Sequence, residues 1–226
     1  MNKEIGKICA EGFSFFGKTN RLISHELKNI LAIISETLGL LDELVELSEK
    51  GTELKPERLR SMSDSIIEEV ERANGVVKYM NTFAHSVDEF IGEVDLNKSV
   101  SLMIGLSKLN PISKAVKIDF PETDSHPIHT SAFFLENFLY HSILFALSAA
   151  GPDKHIQISI HTSGNEIRVT FLGIDPARLA SFPAAQTALL SKAIGAEISS
   201  DVPSGKFHIV LPKKMTGSPI DKLLLN

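Results

Sequence analysis

The stretch Ser24-His25-Glu26-Leu27-Lys28-Asn29 lies in an apolar repeat of helical period that runs from Arg21 to Glu49. On a helix at 100° per residue with His25 at zero, Asn29 falls about 40° away and Glu26 about 100° away. Ile23, Leu27, Ile30, Ile34, Leu38, Leu41 and Val45 gather at about 120–220°, on the opposite side. The apolar seam is expected to pack inward. His25 is then carried outward, with a carboxylate beside it and an amide one turn on. Such a setting suits a histidine that attacks phosphorus: an accessible ring, an acid to orient or deprotonate it, and polar groups close by. An ordinary surface histidine on a bundle helix explains the same geometry, and the residues alone leave that reading open.

Outward from this stretch, the helical pattern reaches back to Ile5 or Glu11. After Glu49, Lys50-Gly51-Thr52-Glu53-Leu54-Lys55 reads as a turn. Gly51 suits a C-terminal cap and Pro56 the first turn of the next helix. The second helix is expected from Pro56 to about Phe90. One heptad set is Leu59, Ile66, Ala73, Met80 and Val87; the other is Val70, Val77, Ala84 and Ile91. Two such helices form an antiparallel hairpin that leaves apolar surface on both. Pairing two copies into a dimeric four-helix bundle covers it. A hairpin packed only against its own C-terminal domain is the alternative.

From about residue 94 the pattern changes. A helix is expected to start at Asp95 or Asn97 and run to Lys108, followed by a strand at Val116–Phe120. A long apolar helix, Ser131 to Ala150, leads into a turn at Gly151-Pro152-Asp153. Residues 155–161 and 166–172 alternate as strands joined by the turn Ser163-Gly164-Asn165. A helix at 184–194 and strands at 197–200 and 206–211 complete the order α-β-α-β-β-α-β-β. That order makes an α/β sandwich with helices on one face of a mixed sheet. The fold class is therefore α+β: a helical hairpin followed by the sandwich. The expected divisions are residues 1–92, 93–214 and a tail at 215–226 that ends in Leu223-Leu224-Leu225.

Composition limits the function classes. The chain of 226 residues is 43% hydrophobic and 23% charged, as soluble globular proteins are. Its net charge of −5 gives no basis for nucleic-acid binding or a basic membrane patch. Residues 1–95 hold 11 Lys or Arg against 18 Asp or Glu, and the remainder 12 against 10. A single cysteine, Cys9, excludes an intramolecular disulfide framework and fits a reducing cytoplasm. Met1-Asn2-Lys3-Glu4 lacks the apolar core of a signal peptide, so none is expected. The run from Ala132 to Gly151 carries Glu136, Asn137 and His141, and reads as a buried core helix rather than a membrane span. A membrane-bound sensor and an input domain before His25 are not expected. His126 and His129 flank Pro127 in a loop, without the cysteine or spaced carboxylates of a metal site.

Ser24 to Asn29 resembles the H-box of the sensor histidine kinases, in their dimerisation and phosphotransfer domain. The resemblance implies that His25 is the phosphorylated residue, and that Glu26 and Asn29 serve phosphotransfer and dephosphorylation of a partner receiver domain. Ile30 stands where the family usually has a helix-bending proline, so a straighter helix is expected. The second half resembles the family's ATP-binding domain, with Phe133 to Leu147 on the helix that carries the N-box. There the resemblance implies an asparagine that ligates the magnesium bridging the ATP phosphates. Phe145 stands at that position and His141 at the asparagine position before it. A phenyl ring offers no oxygen to a cation that demands oxygen ligands. The expected Asp-x-Gly-x-Gly segment is replaced by Leu172-Gly173-Ile174-Asp175-Pro176-Ala177. Only about ten residues, Asp175 to Ala184, remain for a lid.

The resulting expectation is a cytoplasmic, homodimeric histidine phosphotransferase with a degenerate ATP-binding domain and no autokinase activity. It relays a phosphoryl group between a response-regulator aspartate and His25, with a hybrid kinase as the upstream candidate. Catalytic roles fall to His25, Glu26 and Asn29, and receiver docking to Lys28, Ser35 and Glu36. No cofactor or metal is expected in this chain; Mg2+ comes with the partner receiver domain. The rivals are a receiver phosphatase that never stores phosphate and a non-catalytic pseudokinase scaffold.

Overall fold

The computed structural model describes residues 3–121 and 124–215. The chain forms two compact units that are not consecutive in sequence. Thr19–Thr82 makes one; Met1–Lys18 together with Phe83–Asn226 makes the other.

The first unit is a helical hairpin built from two long helices, α1 (Lys3–Glu49) and α2 (Pro56–Ala84). Their connection is dictated locally. Gly51 sits at φ 96°, in the left-handed region. Its N–H donates to Ser48 O at 2.9 Å, and the Thr52 N–H donates to Leu47 O at 3.0 Å. These two bonds satisfy the last carbonyls of α1 and end it at a glycine. Pro56 then opens α2, where its missing N–H costs nothing. Ile23, Ile30 and Leu44 of α1 and Val76 of α2 are buried. The expected inward seam is split: Leu38 and Val45 remain 46% and 45% exposed, because a single facing helix covers only one edge of so broad a stripe.

α2 stops earlier than the heptads suggest. The Ser86 hydroxyl donates to Phe83 O at 2.7 Å, and the Asp88 N–H donates to His85 O, tightening His85–Val87 into a 3-10 turn. Val87 and Ile91 therefore lie beyond the helix.

The second unit begins with the first turns of α1, where Ile8 and Phe15 are each 1% exposed. Beyond residue 90 come β1 (Gly92–Asp95), α3 (Leu96–Lys108), β2 (Lys117–Asp119), β3 (Pro127–Thr130), α4 (Ala132–Ser148), β4 (His155–Ser163), β5 (Glu166–Leu172), α5 (Pro176–Leu179), α6 (Ala185–Ile194), β6 (Glu197–Asp201) and β7 (Lys206–Pro212). Asp95 caps α3, its carboxylate accepting from the Asn97 N–H at 3.0 Å. The main sheet has the order β2-β4-β5-β7-β6; β2 pairs parallel with β4 and every other pair is antiparallel. Alternate residues of β4, β5 and β7 are buried: Ile156, Ile158 and Ile160; Ile167, Val169 and Phe171; Phe207, Ile209 and Leu211. α4 packs against both α3 and α6.

Three elements were not expected. β1 and β3 form a separate two-stranded antiparallel sheet, so Pro127 opens a strand instead of lying in a loop. α5 occupies the shortened segment after β5. No helix among the described residues is long and apolar enough to cross a membrane. α4 is a core helix, with 11 of its 17 residues buried, Glu136 and Asn137 among them. Residues 216–226, which hold the Leu-rich end of the tail, lie outside the described residues.

Candidate functional site

α1 presents His25 to solvent and continues through buried Ile30 without a break. Four residues on, the Asn29 amide meets His25 Nδ1 at 3.2 Å. Lys28, Ser35 and Glu36 are also exposed. Glu26 is paired across the hairpin. Its side chain is only 15% exposed, and Oε1 accepts a close hydrogen bond from Arg72 Nη2 on α2. Arg72 Nη1 also reaches both carboxylate oxygens of Glu69, at 3.1 and 3.2 Å. The hydrogen bond to Glu26 is the main reason that the Arg72 guanidinium is held above its usual pKa.

The exposed histidine, the amide on its ring and the adjoining acid are residues that the sequence singles out. Arg72 and Glu69 are not. Their i,i+3 spacing resembles any surface pair on a helix, and no local pattern announces a contact spanning 46 residues.

In the second unit Phe145 packs into an aromatic cluster. Phe145 stacks on Phe182 at 4.3 Å between centroids and meets Phe207 edge-on at 5.9 Å. Phe207 in turn stacks on Phe171 at 4.4 Å. Gly173, at φ 97°, passes so close to β4 that a Cβ would stand 2.1 Å from His155 O; at Gly205 a Cβ would stand 2.4 Å from Ile174 O. Both glycines thus let protein backbone approach protein backbone. The Ile174 N–H donates to Gly205 O at 2.9 Å and the Asp175 N–H to Ala149 O at 2.8 Å. The Asp175 carboxylate caps α5, accepting from the Ala177 N–H at 2.9 Å.

His141 joins a polar cluster with Gln186 and Glu11. The Gln186 amide nitrogen lies 2.8 Å from His141 Nε2 and makes a close contact with Glu11 Oε1. Burial, with a contribution from Lys18, pushes the His141 pKa down to about 4. Glu136 is pushed up to about 8 by burial. The Asn137 amide is buried with no hydrogen-bond partner on either atom. Among the described residues no cluster of three or more His, Cys, Asp or Glu could hold a metal ion.

No protein-family model and no curated protein matches the chain by sequence. Solved structures do match it. A bacterial phosphotransferase solved at 1.7 Å aligns over 88% of this chain and 95% of its own, with a TM-score of 0.52 at 12% identity. The histidine kinase AdeS of Acinetobacter baumannii covers 84% of this chain and 98% of its own (TM-score 0.44, 15% identity). A histidine kinase from Burkholderia phymatum STM815 covers 87% and 98% (TM-score 0.45, 14% identity). The likeness is one of fold: a helical hairpin followed by an α/β sandwich.

Proposed function

We propose that this chain is a histidine phosphotransferase of two-component signalling, carrying a phosphoryl group on His25 without using ATP. The observation that carries the reading is the exposed His25 ring with the Asn29 amide against Nδ1. A carboxamide turned by 180° exchanges its nitrogen and oxygen in place. With the oxygen toward the ring, Nδ1–H donates to Asn29 and the Nε2 lone pair is left free.

Nε2 then attacks the phosphorus of a receiver aspartyl phosphate in line. The P–N bond forms as the P–O bond to aspartate breaks, and the carboxylate leaves with the electron pair. The ring is an imidazolium until its Nδ1 proton passes to water or to Glu26. Mg2+ comes with the acidic pocket of the receiver.

The domain at 1–92 carries phosphotransfer, and the degenerate domain at 93–214 serves as a docking surface. Phe145, Phe182, Gly173 and Gly205 support the loss of nucleotide binding. Lys28, Ser35 and Glu36 supply the receiver contact beside His25, and the protein acts as a cytoplasmic homodimer.

The test mixes the protein with a phosphorylated receiver. Acid-labile label is expected on the wild type and none on His25→Ala or His25→Gln. Glu26→Ala should slow labelling on the order of 10²-fold, the usual scale for a general acid or base. A phosphatase reading draws on the same Asn29 amide, placed to orient water. It predicts that the His25 variants keep dephosphorylating the receiver while Asn29→Ala does not. A His25→Ala protein that still takes up label would overturn the assignment of the nucleophile.

A further inference from the structure

We infer that Arg72 is the phosphoryl-binding cation of the His25 site, preset by Glu26 and Glu69. This rests on the phosphotransfer reading of His25. The hydrogen bond to Glu26 ties Arg72 to the residue next to His25. A phosphoryl group brings negative charge on its equatorial oxygens, and the Glu26 carboxylate repels it.

Arg72 offsets that repulsion from the second helix. Its Nη1 holds Glu69, its Nη2 holds Glu26, and its side chain remains 44% exposed while the two carboxylates are 17% and 15% exposed. The acids are thus covered and the guanidinium is open. The guanidinium donors that the carboxylates leave unengaged lie in one plane and suit phosphoryl oxygens as a lysine ammonium cannot. Two carboxylates clamping one arginine also fix its rotamer before the phosphoryl group arrives, so that little freedom is lost on contact.

The experiment uses the full chain and two phosphoryl donors. Phosphoramidate is small and needs no docking surface: its P–N bond breaks, ammonia leaves, and the new P–N bond forms at His25. A phosphorylated receiver domain needs docking as well. Arg72→Ala should slow labelling from both donors on the order of 10–10²-fold, the range of a lost charge-assisted hydrogen bond. Arg72→Lys should fall between the two. Circular dichroism and light scattering show whether each variant keeps its helices and assembly, and rates are taken per folded molecule. Arg21, one turn before His25 on the same exposed face, is the charge control.

Wild-type labelling with Arg72→Ala slow on both donors and Arg21→Ala nearly normal supports the assignment. Equal losses in the two variants would mean a bulk charge effect and overturn it. So would a loss confined to the receiver donor, which would make Arg72 a docking residue, or a rate per folded molecule that does not change. If the wild type takes label from neither donor, the phosphotransfer reading fails first and takes this assignment with it.

Discussion

Two buried ionisable residues in the sandwich unit give opposite pH dependences. The Gln186 amide nitrogen lies against His141 Nε2, an arrangement that suits a neutral ring. Glu136, raised by burial to about 8, contributes stability that is complete below its unfolded pKa of 4.5 and lost as pH rises through 8. His141, lowered by burial to about 4, contributes stability that is complete above 6.5 and lost as pH falls through 4. Between pH 4.5 and 6.5 the folded and unfolded chains bind equal numbers of protons at this pair, so the two slopes cancel. From 6.5 to 8 only the Glu136 slope remains, about 1.4 kcal/mol of lost stability per pH unit. Denaturant melts across this range should show a plateau and then a decline. Glu136→Gln should remove the decline; a wild-type curve that rises from pH 6.5 to 8 would contradict a protonated Glu136.

Among the elements, the helices were the most readable. α1, α2, α4 and α6 each carry enough apolar period, a glycine stop or a proline start to mark them. β1 and β3 escaped because four residues are too few to show alternation and β3 begins with proline. Their pairing lies more than thirty residues apart in sequence. The site divides the same way: His25 and Asn29 share one turn of one helix and could be read, whereas Arg72 reaches it from α2. Around α4, Phe145 could be read in the sequence, but the close backbone approaches at Gly173 and Gly205 needed coordinates. The proposed loss of nucleotide binding makes a prediction. Phe145→Asn returns an amide oxygen to α4, yet neither it nor the wild type should bind Mg-ATP by calorimetry. A micromolar Kd in either protein would refute this. Gly173→Ala should cost about 3 kcal/mol or more in denaturant melts, from the left-handed φ and the clash with His155 O.

At the scale of the molecule, the hairpin leaves large apolar side chains exposed on both helices. Leu31, Leu38 and Val45 recur every seven residues on α1 and stand 62%, 46% and 45% exposed. Ile67, Val70 and Val77 of α2 are 53%, 44% and 37% exposed. Seven-residue spacing is the seam of a helical bundle, and it asks for facing helices with the same period. A second copy of the hairpin would supply them in register, since a two-fold axis sets each stripe against its twin. Obligate interfaces of this kind are large and apolar, so aspartate within the seam should not be tolerated. Val70→Asp with Val77→Asp places four buried carboxylates in a dimer, and burying unpaired charge is costly. The wild type should scatter light with twice the 24.7 kDa mass of one chain at micromolar concentration. The double variant should fall to the single-chain mass or lose its helical signal. A wild-type mass near 24.7 kDa under the same conditions would show that the stripe is covered by something other than a second copy.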